Sequence, residues 1–369
     1  MKNQSRHISF DRIAIIGVGV IGGSLGLAIK KRFPSARIVG FDRKEVLRKA
    51  LKKGAIDQAS VDLRDAVSTA DLVFLATPIS AILTMLPRIA RFAPTSALVT
   101  DVGSVKRSIL KAASQFFPKG NFIGGHPMAG VELSGVDAAH PLLFENAVYV
   151  LSPMKSNSRR SVRKLARFLE VLGSRVVLLD PKTHDEVASA VSHVPQLTAV
   201  ALTNVAGREH HSSRNYLRLA AGGFRDLTRI ASSRPEIWKD ILDYNSDEID
   251  KSLGLLVREL EQYRRFLRKK GSPLAGKFHS ARRIRDSIPK SMKGFLHPLA
   301  ELYVFVKDKP GMMAKMTAVL AKGEINIKDI ELVKVREGRG GTFRLAFESK
   351  EIAARAGVIL KRAGFEIGE

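Results

Sequence analysis

The stretch Asp11-Arg-Ile-Ala-Ile-Ile-Gly-Val-Gly-Val-Ile-Gly-Gly-Ser24 decides the fold of this chain. Its apolar residues before Gly17 predict a buried parallel strand, and the apolar pattern after Gly22 predicts a helix. Between them, Gly17 allows a tight turn, Gly19 lets the backbone approach a pyrophosphate, and Gly22 permits close packing of helix on strand. The first helical turn, with Val20 and Ile21, offers free N–H groups to phosphates. We therefore predict a dinucleotide-binding loop.

An acidic residue follows the second predicted strand. Residues 37–41 form this strand, and Asp42 comes directly after it. A carboxylate at this place hydrogen-bonds the ribose hydroxyls of adenosine and repels a 2′-phosphate, so the sequence favours NAD over NADP. The cations Arg43 and Lys44 act against that preference because they could receive the phosphate. Arg43 is open to two interpretations: a solvated residue that opens the next helix, or a cation that stacks on adenine.

The composition excludes several classes of protein. The 369 residues include no cysteine, which rules out disulfides and thiolate metal sites and leaves catalysis to His, Ser, Arg and carboxylates. We expect no metal. No apolar run approaches the roughly 20 residues that span a bilayer. The N-terminus lacks an apolar signal core, so the sequence predicts a cytoplasmic protein without a membrane partner.

The charge of the chain is strongly positive, with 61 Lys and Arg against 36 Asp and Glu, a net +25. Such a field attracts nucleic acid, but it also concentrates small anionic substrates and cofactors. Residues 251–297 hold 13 basic and 3 acidic residues, without the interleaved aromatics that stack on single strands. We interpret this stretch as a solvated helix face and linker, and expect no nucleic-acid partner.

The sequence divides into four parts. Strand and helix patterns alternate over residues 11–180, which predicts a mostly parallel, doubly wound α/β sheet of the Rossmann type. Residues 181–270 carry only helical periodicity, typical of an all-α dimerisation and substrate domain. Residues 271–298 mix Gly, Pro, Ser and cations without a clear period and are interpreted as a linker. Residues 299–369 follow the order βαββαβ, the ferredoxin-like α+β pattern.

Several polar segments stand where a plain core would be apolar. Thr77-Pro78 and Asp101-Val-Gly-Ser104-Val-Lys106 each end a predicted strand, at the carboxyl edge where ligands bind. The others are Gly124-Gly-His126-Pro-Met-Ala-Gly-Val-Glu132-Leu-Ser134, Ser192-His193-Val-Pro-Gln196 and Gly222-Gly-Phe-Arg225-Asp226-Leu-Thr-Arg229. Gathered on one side of the sheet, they would supply a base, hydroxyl groups and two guanidinium groups facing a nicotinamide.

In this order, the motifs GxGxxGGS, TDVGSVK, GGHPMAGxExSG, SHxP and GGFRDxTRIASSxPExW resemble those of the bacterial prephenate dehydrogenases and their arogenate-using relatives. The segment from residue 299, with Asp308-Lys-Pro-Gly311 and Ile325-Asn-Ile, resembles an ACT domain, a small module that binds amino acids. The resemblance implies a homodimeric NAD-dependent oxidoreductase that converts prephenate to 4-hydroxyphenylpyruvate and CO2 on the way to tyrosine. Arogenate, which would give tyrosine directly, is the alternative substrate.

The resemblance also implies roles for individual residues. His126 stands at the catalytic position, where a neutral imidazole would polarise the substrate hydroxyl as hydride leaves. We expect activity to rise with pH through an apparent pKa near that of histidine. Ser104 would bond the same hydroxyl or hold the histidine, although it could also cap the next helix. Arg229 and Arg225 would bind the two substrate carboxylates bidentately, pairing of Arg229 with Asp226 being the alternative.

The remaining polar residues of these motifs are less clearly assigned. His193 is either a site residue or a satisfied core histidine, and Glu132 either orients His126 or pairs with a cation across the dimer. The other histidines considered match no catalytic motif and are interpreted as surface or structural: His140, His184, His210 and His211.

One departure from the family concerns the substrate. Many relatives carry a second histidine three residues after the first in the SHxP segment, and here Gln196 stands in that place. An amide can donate to a keto or carboxylate group and can equally accept from an ammonium group. The residue therefore leaves prephenate and arogenate both open, with prephenate favoured.

Two other functions compete with this interpretation. A β-hydroxyacid dehydrogenase shares the nucleotide fold and helical domain, but it requires a catalytic lysine and gives the GGHP motif no purpose. An amino-acid sensor that binds nucleic acid would show no turnover. For the tail, we expect tyrosine to bind near Asp308, Gly311 and Asn326 across a dimer and to lower activity, the alternative being a module that only strengthens the dimer.

Overall fold

An eight-stranded sheet organises the N-terminal part of the chain, in a computed structural model that describes residues 10–129, 134–210, 215–268, 274–288, 299–336 and 340–368. Its strands are β1 (Arg12–Ile16), β2 (Arg37–Phe41), β3 (Gln58–Ser60), β4 (Leu72–Leu75), β5 (Leu98–Asp101), β6 (Phe122–Pro127), β7 (Val148–Pro153) and β8 (Arg175–Leu178). They lie in the order β3-β2-β1-β4-β5-β6-β7-β8, and every neighbouring pair is parallel except β6 and β7. The predicted Rossmann-type sheet is confirmed.

Helices cover both faces of this sheet. They are α1 (Val20–Arg32), α2 (Lys44–Lys52), α3 (Leu63–Val67), α4 (Ile79–Phe92), α5 (Arg107–Phe116) and α6 (Arg159–Val171). Alternate residues of β1 enter different cores, with Ile13 and Ile15 packed on one face and Ala14 and Ile16 on the other. This two-sided burial explains why the strand reads as a continuous apolar run. The short β3 was not predicted, because its residues are mostly exposed and lack an apolar pattern.

The next segment is helical, as predicted. It comprises α7 (Pro181–Ala188), a π-helical turn (Ser189–His193), α8 (Val194–His210), α9 (Asn215–Arg218), α10 (Gly222–Thr228), a 3-10 turn (Arg229–Ser232), α11 (Pro235–Tyr244) and α12 (Ser246–Leu267). Asp180 caps α7 by accepting from two backbone N–H groups, and Pro181 occupies its first turn. On α11, Asp240 accepts hydrogen bonds from the backbone and hydroxyl of Ser80, each over 2.8 Å. This pair joins the helical segment to the start of α4.

The stretch interpreted as a linker contains a helix, α13 (Leu274–Ser287). None of its residues is buried, so it lacks the apolar periodicity by which a helix is recognised in a sequence. The linker prediction therefore overlooked regular structure at these positions.

The C-terminal unit is a separate α+β module. It contains β9 (Ala300–Val306), α14 (Met312–Lys322), β10 (Asp329–Arg336), β11 (Gly340–Phe347), α15 (Lys350–Arg362) and β12 (Glu366–Gly368). Its antiparallel sheet has the order β10-β11-β9-β12 and its own apolar core. The predicted βαββαβ order is confirmed, and Asn326 precedes β10, which begins at Asp329.

Candidate active site

The glycine loop between β1 and α1 is closely packed on one side and open on the other. Gly17 has φ +92°, and a Cβ atom there would lie 2.6 Å from the carbonyl oxygen of Ala76. A Cβ atom on Gly22 would overlap the carbonyl oxygen of Gly17, whereas one on Gly19 would meet nothing within 4 Å. Side chains are thus excluded where strand, turn and helix meet. Space remains at Gly19, the position predicted to face a pyrophosphate.

Polar groups surround this loop at the carboxyl edge of the sheet. Asp42 follows β2 and accepts hydrogen bonds from the N–H groups of Val18, over 2.8 Å, and of Arg43, over 2.7 Å. Gly19 is the N-cap of α1 and contributes no side-chain cap, so the N–H groups of its first turn, which holds Val20 and Ile21, lack such a partner.

Thr77 and Pro78 follow β4, the strand beside β1. The Thr77 hydroxyl is buried and has no hydrogen-bond partner among the described residues, and Pro78 is the N-cap of α4. An unpaired hydroxyl beside a helix N-terminus suits a ligand with oxygen and phosphate groups. The residues at this edge therefore fit a dinucleotide.

A buried ion pair holds the ends of β5 and β6 together. Asp101 and Lys106 have fully buried side chains and are hydrogen-bonded to each other. Asp101 also accepts from the N–H groups of Gly103 and Gly125, and Lys106 donates to the carbonyl of Gly125 over 2.5 Å. Because breaking a buried pair leaves an uncompensated charge, this connection is costly to disrupt. It positions the backbone on either side of Ser104 and next to His126.

Ser104 does not cap the helix that follows it. α5 begins at Arg107 with Lys106 as its N-cap, and no side chain caps it. The capping alternative is therefore wrong. Ser104 is half-buried in the turn between β5 and α5.

His126 lies on β6 and belongs to a chain of three buried side chains. Its Nδ1 is 2.8 Å from Nε2 of His184, and Nδ1 of His184 is 2.7 Å from Oδ1 of Asp185. His184 is 2 % exposed and Asp185 is fully buried. Of the two expectations for His184, a surface position is wrong, and the structural role is the one that its burial and its contact with His126 leave open. Its signal in the sequence was weak: a Thr-His-Asp stretch at the start of a helix.

The surroundings of His126 oppose its protonation. Burial lowers its pKa well below the ordinary value, and the charge of Lys106 and the repulsion that a second proton on His184 or His193 would bring lower it further. The ring is therefore neutral throughout the neutral pH range. We therefore expect the rise of activity with pH to occur at a lower pH than the ordinary pKa of histidine would give.

His193 lies in the π-helical turn and is also buried. Its Nδ1 is 3.2 Å from Nδ2 of Asn245, and its ring meets Trp238 edge to face at 6.0 Å. Burial lowers its pKa to about 4, although the carboxylate of Asp185 opposes the shift. Its Nε2 atom has no hydrogen-bond partner among the described residues. His193 is therefore not a fully hydrogen-bonded core histidine, since one of its ring nitrogens has no partner among the described residues. π-turns inside helices are often found at functional sites.

The remaining candidates of the helical segment are less enclosed. Gln196 is buried on α8, and its Nε2 donates to the carbonyl of Ile230 over 2.9 Å, which brings α8 against the 3-10 turn. Arg229 begins that turn, and Arg225 precedes it on α10 and donates to the carbonyl of Ala220; both arginines are exposed. Glu132 lies outside the described residues.

The candidates of the C-terminal unit are on its surface. Gly311 has φ +83° and is the N-cap of α14, with Asp308 exposed in the preceding turn. Asn326 is exposed before β10. These residues belong to a unit of their own.

Two features are absent from the described residues. No group of three or more His, Cys, Asp or Glu side chains is arranged to hold a metal ion there. Within the same ranges, no helix has both the length and the apolar character needed to cross a membrane.

Comparisons with known proteins place the chain in one family. Residues 25–178 match the model of the prephenate dehydrogenase nucleotide-binding domain, and residues 180–293 match that of the prephenate dehydrogenase dimerization domain. The chain is 39 % identical to the prephenate dehydrogenase of Bacillus subtilis (strain 168) over 353 residues, 94 % of either protein. It is 34 % identical to the cyclohexadienyl dehydrogenase of Zymomonas mobilis, covering 69 % of this chain and 88 % of that protein.

Similarity to solved structures supports the same family. A prephenate dehydrogenase from Aquifex aeolicus, in complex with hydroxyphenyl propionate and NAD+, superposes with a TM-score of 0.71 at 29 % identity. The match covers 76 % of this chain and 99 % of that one. The arogenate dehydrogenase of Synechocystis gives 0.67 at 32 % identity, over 75 % of this chain and all of that one. With this fold, these motifs and these relatives, the chain belongs to the prephenate dehydrogenase family of oxidoreductases.

Proposed function

We propose that this protein catalyses the NAD-dependent oxidative decarboxylation of prephenate to 4-hydroxyphenylpyruvate. The observation that carries the proposal is the position of His126. It lies at the end of β6, on the same carboxyl edge of the sheet as the glycine loop, and its ring is neutral. A neutral base on the same edge of the sheet as a dinucleotide loop suits the oxidation of a hydroxyl-bearing carbon. Family membership and the sequence motifs support the same assignment.

The chemistry assigns a task to each group. Bound NAD would supply the acceptor for the hydride of the ring carbon that carries the hydroxyl. His126 accepts or shares the hydroxyl proton, which limits the positive charge that develops on that carbon. The bond to the ring carboxylate then breaks, CO2 leaves, and its electron pair completes the aromatic ring. Ser104, in the turn after β5, orients the hydroxyl or His126. Aromatisation drives the second step, so the chain needs only to hold the substrate.

The substrate carboxylates require cations. We assign Arg229 and Arg225 to them, since guanidinium groups bind carboxylates bidentately. We also assign His193 and Gln196 to substrate binding. Glu132 is a candidate for orienting His126. The cofactor is assigned to Gly17, Gly19, Val20, Ile21, Gly22, Asp42, Arg43, Thr77 and Pro78.

A steady-state assay tests the function. Prephenate and arogenate are each offered with NAD and with NADP, and the rate of reduced cofactor formation is measured. The expected result is the highest kcat/KM with prephenate and NAD. A higher kcat/KM with arogenate would contradict the proposed substrate, and no turnover of either would contradict the function.

Gln196→His serves as the matched variant in this assay because it restores the residue typical of the family. The Nε2 of Gln196 is engaged by Ile230, so one of its two N–H groups is already used. We expect Gln196→His to change the ratio of kcat/KM for the two substrates and to leave the KM for NAD unchanged. An unchanged ratio would mean that position 196 does not contact the substrate side chain.

We further propose that the enzyme is a homodimer. Its interface would be formed by the helical domain, residues 181–270. The matched family model is a dimerization domain. This domain exposes large apolar side chains, including Val191 (62 %), Leu219 (79 %) and Leu255 (62 %). Exposed apolar surface of this kind marks an interface. Sedimentation equilibrium at micromolar concentration should give twice the chain mass of 40.5 kDa, and a monomer would contradict the proposal.

We also propose that residues 299–369 form an ACT-like regulatory domain that binds tyrosine. The βαββαβ order supports this, as does the turn at Asp308 and Gly311 before the N-terminus of α14, where N–H groups can receive a carboxylate. Asn326→Ala in the full chain should weaken inhibition by tyrosine without altering kcat. Unchanged inhibition by tyrosine would remove Asn326 from the effector site. Inhibition that is purely competitive with prephenate would contradict a regulatory site outside the active site.

A further inference from the structure

Asp185 is the centre of a buried hydrogen-bond network. Its carboxylate accepts from the backbone N–H groups of Lys106, over 2.7 Å, and Arg107, over 2.9 Å, and from Nε of Arg107 over 3.3 Å. Burial raises the pKa of this carboxyl, but the hydrogen bonds from His184 and these backbone groups outweigh it and hold the pKa below its usual value. Ionised, Asp185 can only accept hydrogen bonds. Nδ1 of His184, at 2.7 Å, must therefore carry a proton.

The proton on Nδ1 of His184 determines which ring nitrogen of His126 is protonated. In a neutral imidazole with a protonated Nδ1, Nε2 holds a lone pair and can only accept. With His184 neutral, the 2.8 Å bond between the two rings requires Nδ1 of His126 to donate to Nε2 of His184. His126 is neutral, so its own Nε2 carries the lone pair. This is the tautomer that can accept the proton of a substrate hydroxyl.

A second part of the network sets the tautomer of His193, which is the reverse of that of His126. Asn245 accepts at Oδ1 from Nη2 of Arg107, over 3.2 Å, and donates from Nδ2 to the backbone carbonyl of Asp185, over 3.0 Å. A guanidinium only donates and a carbonyl only accepts, so these partners determine the orientation of the amide. Nδ2 of Asn245 therefore donates its other hydrogen to Nδ1 of His193. Nε2 of His193 carries the proton, and this is the buried atom without a partner.

We propose that His184, Asp185 and Asn245 are positioning residues that set opposite tautomers on two histidines, with a lone pair on Nε2 of His126 and an N–H on Nε2 of His193. The first accepts from the substrate hydroxyl, and the second donates to a substrate oxygen, from a carboxylate or a keto group. The substrate roles rest on the proposed function, but the tautomers do not. A buried donor without a partner is costly, and a ligand oxygen would satisfy it.

Nitrogen NMR of the full chain labelled with 15N-histidine, at pH 8, tests the tautomers directly. Protonated and unprotonated ring nitrogens have well-separated shifts, and the signals that disappear in His126→Asn and His193→Gln assign the two rings. The expected result is a protonated Nδ1 with a bare Nε2 for His126 and the reverse for His193. A protonated Nε2 on His126, or a bare Nε2 on His193, overturns the proposal. Because this spectrum needs no turnover, it is independent of the assay that tests the function.

Variants of the network test whether its residues set the two tautomers. His184→Phe removes the acceptor, so His126 should lose its single tautomer and kcat should fall by roughly 10–100-fold, with the affinity for NAD unchanged. His184→Gln retains one donor and one acceptor and should recover part of this loss. His279→Phe is the matched control on the exposed surface of α13 and should change neither the spectrum of His126 nor kcat. If His184→Phe folds and leaves the His126 tautomer intact, His184 does not set it.

Asn245→Asp is nearly isosteric and replaces the donor to His193 by an acceptor. The proton of His193 should move to Nδ1, and the KM for the substrate should rise by about 10-fold while His126 keeps its tautomer. An unchanged His193 spectrum in the folded variant contradicts the role of Asn245. If neither network variant folds, the spectrum of the unmodified protein still decides the proposal.

Discussion

The carboxylate of Asp42 accepts a hydrogen bond from the backbone N–H of Val18 over 2.8 Å. Val18 lies between Gly17 and Gly19, so the residue predicted to select the cofactor also holds the glycine loop in place. The two tasks can be separated, because an amide oxygen can still accept from Val18 but carries no charge.

Asp42→Asn should therefore relax the preference for NAD, since the repulsion of a 2′-phosphate is lost while the loop keeps its bond. We expect kcat/KM with NADP to rise and that with NAD to fall moderately. Asp42→Ala removes the bond as well and should weaken both cofactors, by roughly 1–3 kcal/mol for a lost charged hydrogen bond. Initial rates with each cofactor check this. A wild-type enzyme that already prefers NADP would contradict our interpretation of Asp42.

His126→Asn should lower kcat by roughly 10²–10⁴-fold, the usual contribution of acid–base assistance, with binding of NAD nearly intact. Because burial holds the pKa of His126 well below its ordinary value, the wild-type rate should stay level across neutral pH and fall only in acid. Stopped-flow turnover and fluorescence titration of NAD check the two statements. A variant that keeps most of its kcat would remove His126 from the mechanism.

Arg229→Ala should act mainly on the KM of the substrate, because the charge-assisted bond to a carboxylate exists in both the ground state and the transition state. The expected cost is roughly 2–5 kcal/mol if the carboxylate is desolvated in the complex. Lys239→Ala, which removes an exposed cation from α11, is the control for the general positive field. Equal effects of the two variants would show that Arg229 contributes only long-range charge.

The buried histidines should make the fold sensitive to acid. The pKa of His193 is lowered to about 4, so the unfolded chain binds a proton near pH 6.5 that the folded chain does not. This contribution is fully present above pH 6.5 and is lost as the pH falls toward 4. The free energy of unfolding should drop by roughly 2 kcal/mol between pH 7 and pH 5 from His193 alone, and His126 acts in the same direction.

Urea denaturation at several pH values measures this loss, with His193→Gln as the comparison. The variant should lose less stability over the same pH interval because it lacks one of the titrating groups. Identical pH dependence in the two proteins would mean that His193 is not held neutral by the fold.

The class of fold and the nucleotide loop could be predicted from local sequence. Gly17, Gly22 and Asp42 are separated by at most one strand–helix–strand unit, and local constraints dictate their residue types: a positive φ, a close approach of backbones, and a carboxylate at a strand end. The βαββαβ order of the C-terminal unit was readable for the same reason, since each element has its own period. Where that period was missing, as in the exposed helix α13 and the short β3, the prediction failed.

How the candidate site residues are paired depends on tertiary packing. His126 and His184 are 58 residues apart, and Asn245 and Asp185 are 60 apart, on elements whose approach depends on how the helical segment packs on the sheet. Nothing in the local pattern of Thr183-His184-Asp185 distinguishes a surface turn from a buried partner of His126. Hydrogen-bond direction and burial, which set the charge and tautomer of His126 and His193, depend on the surrounding atoms, and packing places those atoms.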